Sequence, residues 1–372
     1  LDLGVDSDEM GVSEMTRFFC IFLVAFLGGT GVSHGFMDWF RSDDQVDYTV
    51  PTPEELNAAD QLYSAALDAK ANNRPKTALR SLRSILLDYS NTPFAADALF
   101  LSAEIEMQQG DLNEAFKNFQ KIVNRYPGYE RFDAVIANQF AIASAFMGLD
   151  SKGFLGVFGS HHPNTAMEYF EVIIKNSPYS EYAPLSLMNI ALIAQKQNDE
   201  EMAIDALDRL ITLYPQSLLT PDAYFAMAQV FASLIQGPEY DQGSTLEAIN
   251  YYQDFLILFP RSQYVDEAEE GLRRVSEIYA QSKLIIAEFY YVNRHEEEAA
   301  SVFYNETITV APETEAADIA RQRLERMESG KSPPRFKIKL KKNDIPSAVN
   351  DFFVERWRAI EMEEAQNESI LR

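Results

Sequence analysis

The chain has 372 residues, of which 47% are hydrophobic, and a formal net charge of −25 at pH 7. Such an acidic chain lacks the basic face that nucleic-acid binding requires, so its composition argues against that class of function. Cys20 is the single cysteine, which excludes a disulfide framework and a thiolate metal site.

Residues 1–35 are typical of a secretory signal peptide preceded by a misassigned start. The sequence Met-Thr-Arg at 15–17 is followed by an apolar run at 18–27 and then by small residues. The run is too short for a spanning helix, which needs about 20 apolar residues. Acidic residues ahead of Met15 do not suit a signal peptide, so we expect translation to start at Met15 and cleavage to follow Ser33 or Gly35. Residues 36–53 are then a linker, and the mature chain has no cysteine.

A four-point pattern recurs six times between residues 54 and 328. Each copy has a small residue, two mostly apolar residues and, in five copies, a proline, at spacings of four, three and five. The spacing of four and then three marks one face of an α-helix, and the proline marks where that helix ends. The copies are Ala78–Leu82–Ile85–Ser90, Ala115–Phe119–Ile122–Pro127, Ala166–Phe170–Ile173–Pro178, Ala203–Leu207–Leu210–Pro215, Ala248–Tyr252–Phe255–Pro260 and Ala300–Tyr304–Thr307–Pro312.

This repetition predicts an all-α fold, a tetratricopeptide-type helical solenoid of about six helix hairpins plus a C-terminal tail. Each copy is expected on the second helix of a hairpin, as for the helix at 111–126, which follows a helix at 94–109. Residues 316–327 have the polar outer face of a capping helix. Hydroxyl residues are expected to serve as N-caps of the first helices: Thr92, Ser180, Ser217, Ser262 and Thr314.

An insertion at residues 150–164 interrupts the repeats and is rich in glycine and aromatic residues. Its apolar side chains include Phe154, Leu155 and Phe158. They either fold under the hairpin as local core or form an apolar contact for a partner, and the sequence leaves both readings open.

Residues 329–345 form a basic segment with an extended pattern. Between residues 331 and 342 there are six positive charges and no negative charge, and Phe336, Ile338 and Leu340 alternate with lysines as in a strand with one wet face. The segment either pairs with the sheet edge of a partner or lies on the acidic surface of its own chain.

Residues 346–372 are predicted to form a C-terminal amphipathic helix. Val349, Phe353 and Trp357 share one face, which must dock on the solenoid or on another protein. We expect five apolar residues outside the repeats to contact partners: Phe154, Leu155, Phe158, Phe353 and Trp357.

Three stretches resemble the BamD family, the outer-membrane-assembly lipoproteins of Gram-negative bacteria. They are residues 153–166, residues 176–183 (Asn-Ser-Pro-Tyr-Ser-Glu-Tyr-Ala) and residues 239–312, with Tyr-Asp-Gln-x-Ser-Thr at 240–245. The resemblance covers roughly residues 54–328. It implies a periplasmic scaffold at the inner face of the outer membrane that binds the barrel assembly protein and unfolded barrel substrates.

The sequence departs from that family at the lipid-bearing cysteine. Cys20 lies inside the apolar run and no cysteine follows the expected cleavage sites, so a lipid anchor is not predicted. No poised nucleophile, phosphate-binding loop or metal cluster is evident, so we expect neither an enzyme nor a cofactor. Two alternatives stay open: a periplasmic adaptor of envelope maintenance or division, like the tetratricopeptide proteins of the Tol-Pal system, and a structural repeat protein without a dedicated partner.

Overall fold

A computed structural model describes residues 49–147 and 162–333. Within these ranges all regular secondary structure is helical, with thirteen α-helices and one π-helical segment. The elements are α1 Pro53–Ala71, α2 Pro75–Asp88, α3 Phe94–Gln109, α4 Leu112–Arg125, α5 Phe132–Met147, α6 Pro163–Asn176, α7 Tyr182–Gln197, α8 Glu200–Leu213, α9 Thr220–Ser233, α10 Gly243–Leu258, α11 Val265–Glu288, the π-helical segment Phe289–Arg294, α12 Glu297–Val310 and α13 Glu315–Glu328.

Consecutive helices pair into six hairpins, from α1–α2 to α11–α12, and each hairpin packs on the next one along the chain. The second helix of each hairpin contacts the first helix of the following hairpin, and α13 packs on α12 and α11. This nearest-neighbour stacking is that of a helical solenoid. The predicted all-α, tetratricopeptide-type fold is therefore confirmed.

The repeat pattern marks the core of each hairpin. In all six copies the small residue is fully buried, and the two following positions are at most 4% exposed. These residues lie on α2, α4, α6, α8, α10 and α12, the second helix of each hairpin, as the spacing predicts. The small side chain lets the two helices approach closely, and the larger ones fill the space between neighbouring units.

Short turns inside the hairpins use residues with left-handed backbone conformation. Gly110 ends α3 with φ 84°, and Asn198 ends α7 with φ 54°. The N–H of the next residue, Asp111 or Asp199, reaches back to the carbonyl of Glu106 or Ala194 at 2.9 Å. These bonds satisfy carbonyls that the helix end leaves without a partner, and glycine and asparagine adopt the required conformation most readily.

The turns between hairpins correct the predicted helix caps. Ser180 does not cap α7: its backbone N–H and its hydroxyl both donate to the carbonyl of Ser177, at 3.2 and 2.8 Å. Thr92 donates twice to the carbonyl of Tyr89 in the same way, at 3.1 and 2.8 Å. The hydroxyls of these two residues therefore close the turn that follows the preceding helix.

Ser217 and Ser262 also act inside their turns. Their hydroxyl oxygens accept N–H bonds from Leu219 at 3.2 Å and from Tyr264 at 3.4 Å, both ahead of the first helical residue. Thr314 alone behaves as predicted and accepts the N–H of Ala317 at 3.3 Å. The N-cap prediction is wrong at the other four positions because each of those helices begins two or three residues after the hydroxyl residue, beyond an intervening turn.

A buried polar network joins the second hairpin to the third. The side-chain amide of Gln139 on α5, fully buried, donates to the Gln120 oxygen on α4 at 2.9 Å. Asn176 at the end of α6 donates to both Gln120 and Gln139, at 2.7 and 3.0 Å. Gln120 and Gln139 are buried and Asn176 is half-buried, and the three side-chain amides satisfy one another across α4, α5 and α6, which fixes how these helices meet.

The last hairpin is tied to α13 by a shared carboxylate. Glu288 accepts a hydrogen bond from the Tyr304 hydroxyl and one from Arg323 Nε, both at 2.7 Å. The outward positions of α13 are polar and exposed: Glu315, Asp318, Arg321, Gln322 and Glu325. A polar outer face of this kind ends the stack of hairpins.

The predicted segments outside the hairpins fall largely beyond these ranges. Residues 1–35 and 346–372 lie outside the described residues, as do most of 36–53 and 329–345. Their assignments stay predictions. No helix in the described ranges combines the length and the apolar composition that crossing a membrane requires.

Candidate protein-interaction surfaces

Exposed apolar side chains lie where the second helices of two consecutive hairpins end. Leu213 closes α8 and Leu258 closes α10, with 60% and 53% of their surface exposed. Both occupy the same repeat position, three residues after the buried Leu210 and Phe255. Leu218 in the turn after α8 and Ile257 on α10 add further exposed apolar surface, at 88% and 74%. We call Leu213, Leu218, Ile257 and Leu258 the edge ridge.

A shallow cleft of about 550 Å³ opens beside the edge ridge. Pro221 at the start of α9 lines one side, and Leu258, Phe259 and Pro260 line the other. Arg261, an exposed cation, stands at the same turn. Asp222, Ser262 and Gln263 also line the cleft, so its apolar walls carry one charge of each sign and suit an apolar segment of another protein.

The turn beside the cleft lacks a hydrogen bond that other turns make. Tyr126 donates its hydroxyl to the carbonyl of Ser90 at 3.2 Å, and Tyr214 donates to that of Pro178 at 2.8 Å. Each bond ties the end of one hairpin to the end of the previous one. Phe259 occupies the equivalent position after α10 and has no hydroxyl to donate. Its ring instead packs on Tyr224, with centroids 5.5 Å apart.

A second apolar surface covers the last hairpin. Tyr279, Lys283, Ile286 and Tyr290 follow at spacings of four, three and four and therefore share one face of α11 and its π-helical extension. The ring of Tyr290 stacks on Phe303 of α12, with centroids 5.6 Å apart and planes at 5°. Phe289, 48% exposed, meets Tyr290 edge-on. These six residues, Tyr279, Lys283, Ile286, Phe289, Tyr290 and Phe303, form the last-hairpin face.

Lys283 supplies the charge on the last-hairpin face. Its Nζ lies 4.9 Å from the ring centre of Tyr279 and 3.0 Å from a carboxylate oxygen of Glu306 on α12. Burial acts to lower the pKa of this ammonium, but the Tyr279 and Glu306 contacts outweigh it and the pKa is raised. The lysine therefore stays charged with its stem packed among aromatic rings.

The five residues predicted to contact partners lie outside the described ranges. Phe154, Leu155 and Phe158 fall between α5 and α6, and Phe353 and Trp357 lie beyond Pro333. Their roles therefore stay predictions. Within the described ranges no group of three or more His, Cys, Asp or Glu residues could hold a metal ion.

Sequence reasoning missed both apolar surfaces, although each left a signal. Leu213 and Leu258 occupy the same position in the fourth and fifth repeats. In the first three repeats that position holds a polar residue, Asp88, Arg125 or Asn176, so the change to leucine could be seen in the sequence. The four-three-four spacing on α11 was visible too. Apolar residues at helical spacing usually indicate core, and only the observed exposure separates these surfaces from it.

Two family models match different parts of the chain. Residues 63–130 match a tetratricopeptide-repeat model, and residues 159–331 match the YfiO model, which is described as outer membrane lipoprotein. The second match covers α6 to α13 and includes both the edge ridge and the last-hairpin face.

Two curated relatives are outer membrane protein assembly factors named BamD. The protein from Caulobacter vibrioides is 26% identical over 130 residues, which cover 35% of this chain and 43% of the relative. The protein from Rickettsia prowazekii is 26% identical over 140 residues, covering 36% of this chain and 56% of the relative. The chain therefore spans about half the length of the curated relatives it matches.

Among solved structures, a tetratricopeptide-repeat protein of Thermus thermophilus is similar to the chain at 17% identity and a TM-score of 0.28, covering 57% of this chain and 98% of that one. PilW, titled a type IV pilus biogenesis factor, is similar at 16% identity and a TM-score of 0.26, covering 71% and 98%. The buried repeat hairpins, the two family models and the two curated relatives agree: the chain is a BamD-like tetratricopeptide-repeat protein.

Proposed function

We propose that this protein is a periplasmic scaffold for the assembly of outer-membrane β-barrel proteins. The observation that carries the proposal is the YfiO match over residues 159–331 together with the two BamD relatives. The proposed location is the inner face of the outer membrane, which the description of that family and the predicted signal peptide support.

The proposed partners are the barrel assembly protein and unfolded barrel substrates. The edge ridge supports a protein-binding role, because its four exposed aliphatic side chains, of which Leu258 lines an open cleft, lose unfavourable contact with water when a partner covers them. The insertion residues Phe154, Leu155 and Phe158 are a second proposed contact.

The test is co-purification from a Gram-negative host. The chain is expressed from Met15, crosslinked in mild detergent and isolated, and mass spectrometry identifies both its partners and its mature N-terminus. We expect the barrel assembly protein among the partners and a start near residue 34 or 36. Recovery of only division or Tol-Pal components supports the alternative adaptor role, and recovery of no selective partner supports a purely structural one. An uncleaved N-terminus contradicts the proposed location.

Variants assign the contact to the edge ridge. Leu213→Ser combined with Leu258→Ser should lower recovery of the barrel assembly protein several-fold, because both side chains are exposed and their loss leaves the core intact. Leu87→Ser is the matched control, since Leu87 is a 70% exposed leucine near the end of α2. If the double variant and Leu87→Ser recovered equal amounts of the barrel assembly protein, the edge ridge would not be the site of contact.

Substrate binding is tested separately with purified protein. An outer-membrane barrel protein unfolded in urea is diluted into the purified chain and crosslinked, with the folded form of the same barrel as control. Crosslinking to the unfolded form alone supports the substrate role. Equal crosslinking to both forms contradicts it.

A further inference from the structure

The apolar residues near the C-terminus lie outside the six repeats of the sequence. The outward face of α13 is polar, so no further hairpin is expected to stack on it. Residues 346–372 nevertheless carry an apolar stripe that includes Val349, Phe353 and Trp357. Burying each large apolar side chain of such a stripe is worth about 1.5–3 kcal/mol, so the stripe is expected to find a surface to cover it.

The chain leaves the described region beside the π-helical segment of the last hairpin. The Tyr291 hydroxyl lies 3.0 Å from the carbonyl oxygen of Lys331, and Arg326 Nε donates to the carbonyl of Ser332 at 2.6 Å. Tyr291 is fully buried and adjacent in sequence to Tyr290, which belongs to the last-hairpin face. The first contact therefore holds the exit of the C-terminal segment against the π-helical segment that carries Tyr290, and the second holds it against α13.

The intervening chain is long enough and has the right charge to reach that face. Residues 334–345 can extend to roughly 40 Å, several times the length of a side chain. Arg335 and four lysines give them five positive charges against the single negative charge of Asp344. Three consecutive exposed glutamates, Glu296, Glu297 and Glu298, follow the π-helical segment after His295. Attraction between the basic residues of the linker and these glutamates favours a path of the linker across the end of the last hairpin that carries the π-helical segment.

We propose that the C-terminal amphipathic helix, residues 346–372, docks its Val349, Phe353 and Trp357 stripe on the last-hairpin face of the same chain. The occupant fits the surface chemically, because an apolar stripe with aromatic residues meets exposed Ile286 and Phe289 and the Tyr290–Phe303 stack. The proposal replaces the predicted partner contact of Phe353 and Trp357 with a contact inside the chain. It involves none of the edge ridge, so it does not rest on the proposed function.

Trp357 makes the contact measurable in the intact chain. The protein has two tryptophans, Trp39 and Trp357, so a Trp39→Phe background leaves Trp357 as the single emitter. In the purified full chain we expect blue-shifted Trp357 emission and weak quenching by acrylamide. Phe289→Ser and Ile286→Ser, at positions that are 48% and 37% exposed, should shift the emission to the red and raise the quenching constant several-fold.

Two controls define what would overturn the proposal. Leu87→Ser, on α2, should leave the emission unchanged, and circular dichroism should show that every variant keeps its helix content. Trp357 exposed to quencher in the unmodified chain would contradict docking. If Ile257→Ser but not Phe289→Ser exposed Trp357 to acrylamide, the helix would be placed on the edge ridge instead. Protection that appears only as protein concentration rises would assign it to a second copy of the chain.

Discussion

Glu106 is a carboxyl group held partly inside the second hairpin. One of its oxygens accepts a hydrogen bond from the side-chain amide of Asn118 at 2.8 Å. The pKa of Glu106 is raised to about 7: burial is the largest influence, the Asn118 bond opposes the rise, and the neighbouring Glu114 adds to it. At neutral pH this side chain therefore titrates between its neutral and charged forms.

The raised pKa of Glu106 makes stability depend on pH. Because folding favours the protonated form, this residue's contribution is fully present below the pKa of the unfolded chain, near 4.5, and is lost as pH rises through about 7. Glu106→Gln, which does not titrate, should match the unmodified protein near pH 5 and exceed its stability above pH 8. We expect a difference of about 1–2 kcal/mol, discounted for solvent screening because the carboxyl is partly exposed.

Urea unfolding at a series of pH values measures the Glu106 effect. Glu130→Gln, which removes an exposed negative charge from the next turn, controls for the general effect of one charge fewer. A constant difference between Glu106→Gln and the unmodified chain across this pH range would contradict the assignment.

At the scale of the helix pair, Gly271 sets how closely α11 approaches α10. A Cβ added at Gly271 would lie 2.5 Å from Cζ and 2.7 Å from the hydroxyl oxygen of Tyr252, which is nearly fully buried. Such distances are far below van der Waals contact, so either the ring or the helix would have to move. A glycine within a helix costs up to about 1 kcal/mol relative to alanine, so this close approach accounts for its presence.

Gly271→Ala should therefore destabilise the protein by about 1–3 kcal/mol through overpacking, despite the better helix propensity of alanine. Chemical denaturation with Gly128→Ala as control measures this, because no atom lies within 4 Å of a Cβ at Gly128. In a Tyr252→Leu background, Gly271→Ala should destabilise the protein by at least about 1 kcal/mol less than it does in the unmodified chain, because the two residues are in contact. If the losses in free energy of unfolding from Gly271→Ala and Tyr252→Leu were additive, the Tyr252 ring would not be what prevents a larger residue at position 271.

The sequence predicted the helical faces well because those depend on helix geometry alone. Ala203, Leu207 and Leu210 follow the four-three spacing, and any α-helix with that spacing presents them to one side, where all three are fully buried. The predicted hairpin count and the capping helix follow from the same periodicity. Burial of the repeat positions could thus be read from the sequence residue by residue.

The turns and surfaces could not be predicted in the same way. Whether the Ser180 hydroxyl caps a helix or closes a turn depends on where the backbone begins its first helical residue, which is set by the packing of two hairpins. Whether Leu258 is core or surface depends on how far the next hairpin extends over it. The position of the turn and the exposure of Leu258 both depend on how neighbouring hairpins pack in space. The spacing of residues along the sequence does not predict that packing.

At the scale of the whole molecule, the hairpins form a chain of local contacts. Each helix packs mainly on its partner and on the adjacent hairpin, and the strong contacts join elements close in sequence. In such an array stability is close to a sum of unit and interface contributions, so damage at one end is expected to stay there.

Tyr304→Ser tests how far damage spreads along the solenoid. Tyr304 is fully buried and donates to Glu288, so its loss removes both core packing and a tie between α11 and α12. Hydrogen exchange read by mass spectrometry should rise in α11, α12 and α13 and stay unchanged in α1 to α4. Leu82→Ala, a fully buried position on α2, should give the mirror result, with faster exchange confined to the first hairpins. Faster exchange along the entire chain in either variant would mean that the hairpins unfold as one cooperative unit. The contacts between neighbouring hairpins would then couple the units more strongly than their spacing along the solenoid implies.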